Sequence, residues 1–329
     1  MIPEEGQWHE FNGKTNETYS LYPTSRHMFP IKPHLWFDHG KAKEAAEFYT
    51  SLLPDSSILS VKQLQNMPAG TCEVTEFLVA GYPFMAIGAG QSQPFTPSIS
   101  FMINFDPSRD PDAARHLDEV WNKLIEGGKA LMQLDRYPFS ERYGWLSDKY
   151  GLSWQLILTN PAGEERPMII PSLMFTQNVY GKADEALDFY CSLFQDSKRG
   201  TTAQYPTEMG PDTQGKLMFA DFYIDHTWLA AMDGAGPHQF GFNEAVSLLI
   251  SCETQAEIDY YWAALSANGQ AEQCGWLKDR YGVSWQISSA FMTEAIKTGS
   301  QEQIDRMTQA FMKMEKVDIA TLQQAYNGN

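Results

Sequence analysis

Short apolar runs alternate with one helical pattern along the first third of the chain. Ile31–Phe37 predicts a strand, and Lys41–Leu53 carries apolar residues at the spacing of an amphipathic helix. Three further strands are predicted, at Ser57–Leu64, Cys72–Ala80 and Tyr82–Ile87. The pattern therefore predicts a module of one strand, one helix and three strands (βαβββ).

The same order of elements begins again at Ile99–Phe105. A helix is predicted at Pro111–Glu126, because Asp110 precedes a proline at the first helical position and Gly127-Gly128 ends the pattern. Three strands follow, at Ala130–Arg136, Gly144–Ser147 and Ser153–Leu158. Residues 31–158 therefore predict two successive βαβββ modules.

Two pairs of matching segments show that this unit is duplicated. GKAKEAAEFYTSLLPDS begins at Gly40, and GKADEALDFYCSLFQDS begins at Gly181. WLSDKYGLSWQL begins at Trp145 and WLKDRYGVSWQI at Trp276, with eight of their first 11 residues identical. The pairs occur in the same order, so the sequence predicts a tandem repeat and four modules in all.

The repeat divides the chain into four parts. Residues 1–29 form an N-terminal arm, 30–160 a first domain, 166–289 a second domain and 290–329 a helical extension. In that extension Ser300 and Gln303 predict a capping box, and Asp318 predicts the start of a last helix.

Charge and composition narrow the classes of partner. The 329 residues include 24 basic and 41 acidic side chains, a net charge of −17, which disfavours nucleic acid and anionic membranes. No apolar run reaches the roughly 18 residues of a transmembrane helix, and the polar N-terminus does not look like a signal peptide. The four cysteines form no C-x-x-C pair and are expected to be free thiols. We therefore expect a cytoplasmic protein.

The repeated segments resemble the vicinal-oxygen-chelate superfamily, which includes glyoxalase I, bleomycin-resistance proteins and extradiol dioxygenases. The likeness is strongest to the PhnB-like branch, often labelled as a 3-demethylubiquinone-9 3-methyltransferase domain. The carrying residues are Glu44–Tyr49, Asp148–Gly151 with Trp154-Gln155, and their partners Glu185–Tyr190 and Asp279–Gly282 with Trp285-Gln286.

This resemblance implies an α+β fold of tandem glyoxalase-like domains, each of two paired βαβββ modules, plus C-terminal helices. The two modules of one domain are expected to pair their sheets around a cleft for a small molecule. Single-unit relatives commonly dimerise, so the resemblance implies intramolecular pairing of the two domains, with a homodimer left open.

The resemblance also places candidate site residues on the first and last strands of the modules. These are His34, Ser100 and Gln155 in the first domain, and Ser172, Ser247 and Gln286 in the second. Trp36 shares a strand face with His34 and is a further candidate for ligand binding. His34 is the candidate catalytic residue, although a hydrogen-bonded cleft histidine is the favoured interpretation. Both glutamines are expected to be satisfied inside the barrel, with a role in orienting a ligand left open.

Metal-using relatives commonly carry histidine and glutamate at these positions. A neutral His/Ser/Gln set is a weak donor set for a divalent cation. We therefore predict no metal residues and no cofactor, while a divalent metal at His34 stays open.

Two other segments contain residues that could belong to a functional site. Ile87-Gly88-Ala89-Gly90 precedes no helical pattern, so it does not support nucleotide binding or the methyltransferase label. Asp135–Tyr143 has no close counterpart in the second repeat and is expected to be a loop that covers the cleft of the first domain.

The sequence does not decide whether the protein is an enzyme. Three functions stay open: a small-molecule protein or enzyme without a conventional metal, a non-catalytic protein that sequesters a ligand as bleomycin-resistance proteins do, and a metal-dependent lyase or dioxygenase that uses His34. A structural role for the second domain is a further alternative.

Overall fold

The structure, a computed structural model, describes residues 31–67, 70–90, 93–267 and 269–329, without the side chain of Asn66. The predicted N-terminal arm, 1–29, lies outside the described residues. The first half contains β1 (Lys32–Phe37), α1 (Lys41–Thr50), β2 (Ser57–Met67), β3 (Gly70–Val79), β4 (Tyr82–Gly88), β5 (Ile99–Phe105), α2 (Ala113–Ile125), β6 (Lys129–Tyr137), β7 (Ser140–Ser147) and β8 (Ser153–Leu158).

The second half repeats this order and adds three helices. It contains β9 (Ile169–Phe175), α3 (Ala183–Leu193), β10 (Ser197–Gln204), β11 (Leu217–Ile224), β12 (Thr227–Asp233), β13 (Val246–Cys252), α4 (Gln255–Ser266), β14 (Gln270–Ala271), β15 (Trp276–Lys278), β16 (Ser284–Ser289), α5 (Ala290–Thr298), α6 (Gln301–Phe311) and α7 (Ile319–Asn327). Modules 1 to 4 are β1–β4, β5–β8, β9–β12 and β13–β16, each with its helix. The α+β class and the four βαβββ modules are confirmed.

The strands form two eight-stranded sheets, and the partners within each sheet differ from those expected. One sheet has the order β14-β15-β16-β13-β1-β4-β3-β2, and the other has the order β10-β11-β12-β9-β5-β8-β7-β6. β1 pairs antiparallel with β13, and β5 pairs antiparallel with β9. Modules 1 and 4 therefore share a sheet, as do modules 2 and 3, and the expectation that each domain pairs its own two modules was wrong.

The two modules of one repeat pack against each other through their helices instead of through strand pairing. Tyr49 on α1 donates a hydrogen bond to Asp148 Oδ2 in the β7–β8 turn at 2.8 Å, and Tyr190 on α3 donates to Asp279 Oδ2 in the β15–β16 turn at 2.7 Å. Both pairs are buried. Within the first half alone, β1 and β5 would each be an edge strand with unpaired backbone N–H and C=O groups. Such groups readily pair with another strand. The second half supplies the partner strands.

The repeated WLxDxYGxSWQ string builds the turn that receives each tyrosine. Asp148 Oδ1 accepts hydrogen bonds from the backbone N–H groups of Tyr150 at 2.8 Å and Leu152 at 3.1 Å, while Trp154 Nε1 donates to Oδ2 at 2.9 Å. Gly151 has a φ of 88°, a conformation that favours glycine. The equivalent groups surround Asp279 in the second copy. The string is retained in both copies for a structural reason.

Helix α2 begins later than its sequence signals indicate. Asp110 Oδ1 accepts a hydrogen bond from the backbone N–H of Asp112 at 2.9 Å, which forms a turn ahead of the helix. The helix begins at Ala113, and the preceding residue makes no side-chain cap. Asp110 is therefore not the N-cap, and Pro111 is not the first helical residue.

The Asp135–Tyr143 segment forms the tip of the β6–β7 hairpin, with Tyr137 paired to Ser140. It lies at the end of the sheet that modules 2 and 3 share, whereas His34 lies in the other sheet. The expected loop over the His34 cleft was therefore wrong.

The C-terminal helices α5 and α6 pack against the sheet that modules 1 and 4 share, and both contact β2. Ser300 and Gln303 form the predicted capping box, and Asp318 caps α7 through Thr321 N–H at 2.7 Å. Both predictions are confirmed. Because α5 follows β16 directly, the extension is held close to the concave face of this sheet.

Candidate ligand-binding site

A cavity of about 270 Å³ lies between modules 1 and 4 and is closed by α5 and α6. Its floor is formed by alternate residues of adjacent strands, since side chains of one strand face two sides in turn. His34 and Trp36 come from β1, and Gln286 comes from β16. Phe311 and Met312, at the end of α6, cover it. Both halves of the chain and the C-terminal extension therefore contribute to one site.

His34 lines this cavity and is 5% exposed. Burial lowers the pKa of His34 to about 4, so the imidazole is neutral at neutral pH. Nδ1 has no hydrogen-bond partner among the described residues, and the expected hydrogen bond is not found at this atom. The ring meets the edge of Trp276, with ring centroids 5.8 Å apart. His34 thus has an unused hydrogen-bonding atom beside an aromatic wall.

Trp276 and Trp36 form this wall, with ring centroids 5.6 Å apart. The equivalent tryptophan of the other sheet, Trp145, instead donates a hydrogen bond to Ser153 Oγ at 2.7 Å. The hydroxyl of Ser284, the counterpart of Ser153, makes no such bond to a described residue. Two identical sequence positions therefore have different roles, and Trp276 is a cavity residue that was not among the candidates from the sequence.

Gln286 is held by a serine of the neighbouring strand. Its Nε2 donates a hydrogen bond to Ser247 Oγ at 2.8 Å, and Ser247 lies opposite His34 in the β1–β13 register. Ser247, His34 and Gln286 therefore come together, although the sequence had placed His34 in another set.

The remaining predicted residues come together in the second sheet. Gln155 Nε2 donates to Ser100 Oγ at 2.7 Å, and Ser100 lies opposite Ser172 in the β5–β9 register. Tyr143 donates a hydrogen bond to Gln155 Oε1 at 2.7 Å, so both ends of this amide are satisfied. The two sets are therefore His34/Ser247/Gln286 and Ser172/Ser100/Gln155, and the predicted grouping by domain was wrong.

Modules 1 and 4 form the first barrel, and modules 2 and 3 form the second. In the second barrel, side chains occupy the place that corresponds to the cavity of the first. Tyr143, Trp145 and Met174 pack into one buried cluster there. Cys274 is the counterpart of Tyr143 in the repeat, and it lines the cavity of the first barrel. A smaller thiol replaces a phenol at this position, which leaves more space for the cavity of the first barrel.

The first barrel also contains charged groups that the sequence did not reveal as site residues. Glu76 on β3 is 5% exposed and lies between two lysines. Lys32 Nζ is 3.3 Å from Glu76 Oε1, and Lys297 Nζ is 2.8 Å from Oε2. Lys62 on β2 lines the same cavity. In the sequence, the signal that could have identified them is a charged residue at an inward-facing strand position, Lys62 on β2 and Glu76 on β3.

These donors do not fit a divalent cation. His34, Ser247 and Gln286 are neutral, and the Gln286 amide already donates to the serine. On β4, the position equivalent to Gln286 is occupied by Ile87, which has no metal-binding atom. Glu76, the carboxylate that lines the cavity, forms ion pairs with two lysines. In the part of the chain that the structure describes, no three His, Cys, Asp or Glu residues are grouped for metal binding.

The Gly88–Gly90 segment is not a nucleotide-binding turn. A Cβ on Gly88 would lie 3.5 Å from Ala42 Cβ of α1, so this glycine permits close packing. β4 is followed by β5 with no helix among the described residues between them. The strand–turn–helix arrangement of a nucleotide site is therefore absent from this described segment.

The helices and the cysteines bear on two further predictions from the sequence. Within the described ranges, none of the helices has the length and apolar content needed to cross a membrane. All four cysteines are unpaired, as predicted.

Comparison with solved structures gives the fold and the relatives. A PhnB protein of Bacillus cereus is 34% identical over 40% of this chain and 100% of that chain, with a TM-score of 0.35. Glyoxalase I of Zea mays is 12% identical over 82% of this chain and 98% of that chain, with a TM-score of 0.52, and shows the fold alone. The fosfomycin resistance protein FosX of Listeria monocytogenes is 11% identical over 39% of this chain and 90% of that chain, with a TM-score of 0.29.

No curated protein matches the chain at a significant level. The sequence profile of the family described as 3-demethylubiquinone-9 3-methyltransferase matches it twice, at residues 30–157 and 167–288. These matches cover more than half of the chain, which therefore belongs to this PhnB-like family, in a tandem two-domain form.

Proposed function

We propose that the protein binds a small, largely apolar molecule in the cavity between modules 1 and 4, without a metal ion. The observation that carries this proposal is the contrast between the barrels. One contains a cavity of about 270 Å³ lined by Trp36 and Trp276, whereas in the other Tyr143, Trp145 and Met174 pack into a buried cluster at the equivalent place. Small-molecule sites are typically concave, mostly apolar and supplied with a few oriented polar groups. This cavity has those properties.

His34 and Gln286 are the polar groups proposed to orient the ligand. The pKa of about 4 keeps His34 neutral, so a ring nitrogen can accept a hydrogen bond from a ligand N–H or O–H. The same low pKa makes His34 a weak general base at neutral pH, where a base works best with a pKa near the operating pH. Binding is therefore favoured over proton abstraction by His34.

The test uses neutral probes of two shapes, 2-naphthamide and octanamide, measured by isothermal titration calorimetry. We expect at least one of them to bind. Ile87→Trp, which fills the cavity from β4, should weaken that binding about ten-fold or more, equivalent to about 1.4 kcal/mol. Met232→Trp is the matched control, because Met232 holds the equivalent position in the second barrel. Failure of these amides and of the matching carboxylic acids to bind, or equal loss in both variants, would contradict the proposal.

Metal content tests the alternative of a metal-dependent enzyme. Elemental analysis of the purified protein is compared with His34→Ala and with Ser172→Ala, the equivalent change in the second barrel. We expect no stoichiometric transition metal in any of the three. A stoichiometric metal that is lost in His34→Ala and kept in Ser172→Ala would establish the metal-dependent alternative.

A further inference from the structure

We infer that the ligand of this cavity carries an anionic group, such as a carboxylate or sulfonate, which binds Lys62 and Lys297. This inference rests on the proposed function and adds the chemical class of the ligand. It follows from the charges that line the cavity, from their partners and from the comparison with the second barrel.

The cavity region is positively charged in a protein of net charge −17. Lys32, Lys62 and Lys297 supply three positive charges, and Glu76 supplies one negative charge. Among the described residues that line the cavity, Glu76 is the one carboxylate. Lys32 lies beside the cavity, and among the charged residues that line it Lys62, Lys297 and Glu76 leave a surplus of one positive charge.

The partners of these groups show which cations are available. Glu76 uses one oxygen for Lys32 and the other for Lys297. Lys62 forms no ion pair with a described residue. An ammonium group has three N–H donors, so Lys297 keeps donors after its contact with Glu76. Lys62 supplies an unneutralised charge, and Lys297 supplies a second donor nearby, since α5 packs against β2.

Two of these lysines have no basic counterpart in the second barrel. Ala203 on β10 holds the position equivalent to Lys62, and Ile170 holds that of Lys32. Asp221, the counterpart of Glu76, is balanced by Arg166, with Nε 2.7 Å from Oδ2. The positions of Lys32 and Lys62 are thus basic in the first barrel and apolar in the second.

The strand register in the first sheet places the tryptophans and Lys62 at opposite ends of one row of residues. Trp36, Ile87, Val74 and Lys62 are neighbours in one row across β1, β4, β3 and β2. Three strand spacings separate the ends of this row, a distance of about 14 Å. A ligand on the order of 10 Å long can place its apolar body against the tryptophans and its anionic end near Lys62.

Matched acid and amide probes separate charge recognition from cavity binding. 2-Naphthoate is compared with 2-naphthamide, and octanoate with octanamide, by calorimetry on the full-length protein. We expect at least one acid to bind about ten-fold more tightly than its amide, because a charge-assisted contact is stronger than a neutral one. That ratio should fall as ionic strength rises.

Variants of the lysines assign the effect. Lys62→Gln should reduce the acid-to-amide ratio to near one while amide binding stays within two-fold, and Lys62→Arg should keep the ratio. Lys123→Gln on α2 is the control for a lysine outside the cavity. Amides that bind as well as the acids, or a ratio unchanged by Lys62→Gln, would overturn the anion inference and leave the proposed function standing. If neither acids nor amides bind, both proposals fail.

Discussion

His34 is a neutral histidine in an apolar cavity, and its burial links folding to pH. In the folded protein it takes up a proton only near pH 4, whereas in the unfolded chain it does so near its ordinary pKa of 6.5. Between these values the unfolded state binds more protons. Stability from this group is therefore complete above pH 6.5 and is lost as the pH falls towards 4.

We predict that His34→Gln removes this part of the pH dependence. From pH 7 to pH 4, the free energy of unfolding of the natural protein should fall by about 3 kcal/mol more than that of His34→Gln, since each pKa unit corresponds to about 1.36 kcal/mol. Urea denaturation at several pH values measures both curves. His39→Gln, which removes an exposed histidine, is the control. Parallel curves for the natural protein and His34→Gln would show that burial of His34 does not govern this dependence.

At the scale of elements, one contact joins the two repeated sequence segments. The tyrosine of each GKAxEAxxFY helix donates its hydroxyl hydrogen to the aspartate of each WLxDxYG turn. The aspartate also accepts a tryptophan N–H and two backbone N–H groups. These contacts fix how a helix of one module seats on the turn of the next, which explains why both segments recur together.

We predict that Tyr49→Phe and Tyr190→Phe destabilise the protein to a similar extent. Each removes one donor from a buried carboxylate, which costs about 1–3 kcal/mol. Chemical denaturation of each variant measures the loss. Tyr137→Phe is the control, because its hydroxyl donates to an exposed backbone carbonyl and its loss should cost less than about 0.5 kcal/mol. Losses at Tyr49 and Tyr190 no larger than at Tyr137 would contradict the structural role of this contact.

At the scale of the whole molecule, each barrel is built from both repeats. β1 pairs with β13, and β5 pairs with β9, so neither repeat contains a complete barrel. The proposed ligand site depends on this exchange, because His34 comes from the first repeat and Gln286 from the second. The two repeats are therefore parts of one folding unit.

We predict that residues 30–160, produced alone, do not remain a folded monomer. In this fragment β1 loses its partner β13, and β5 loses its partner β9. Exposed strand edges pair with other chains. The fragment should form a symmetric dimer in which one copy replaces the missing half, or fold only when residues 166–329 are added. Light scattering after size-exclusion chromatography gives the mass in each case. A folded monomer that does not bind the other half would contradict shared barrels.

Much of the local structure follows from the sequence because it depends on neighbouring residues. The periodicity of apolar positions predicts the helices and strands, and Ser300 with Gln303 predicts a cap that forms. The α2 boundary differs because the Asp110 side chain makes a local turn that competes with the helix. The tandem repeat and the family resemblance also gave His34, Trp36 and Gln286 as candidates for a cleft.

The partners of the modules and the presence of the cavity were decided by tertiary structure alone. Alternation gives the faces of β1 and β5, but it does not show which strand pairs with their open edges. The two tryptophans of the repeat are identical in sequence, yet Trp145 bonds to Ser153 and Trp276 lines a cavity. Their neighbours Tyr143 and Cys274 differ in volume. The helices α5 and α6, which are distant in sequence from β1–β4, cover the first barrel. Function therefore depends on contacts across the two halves, which a local pattern does not encode.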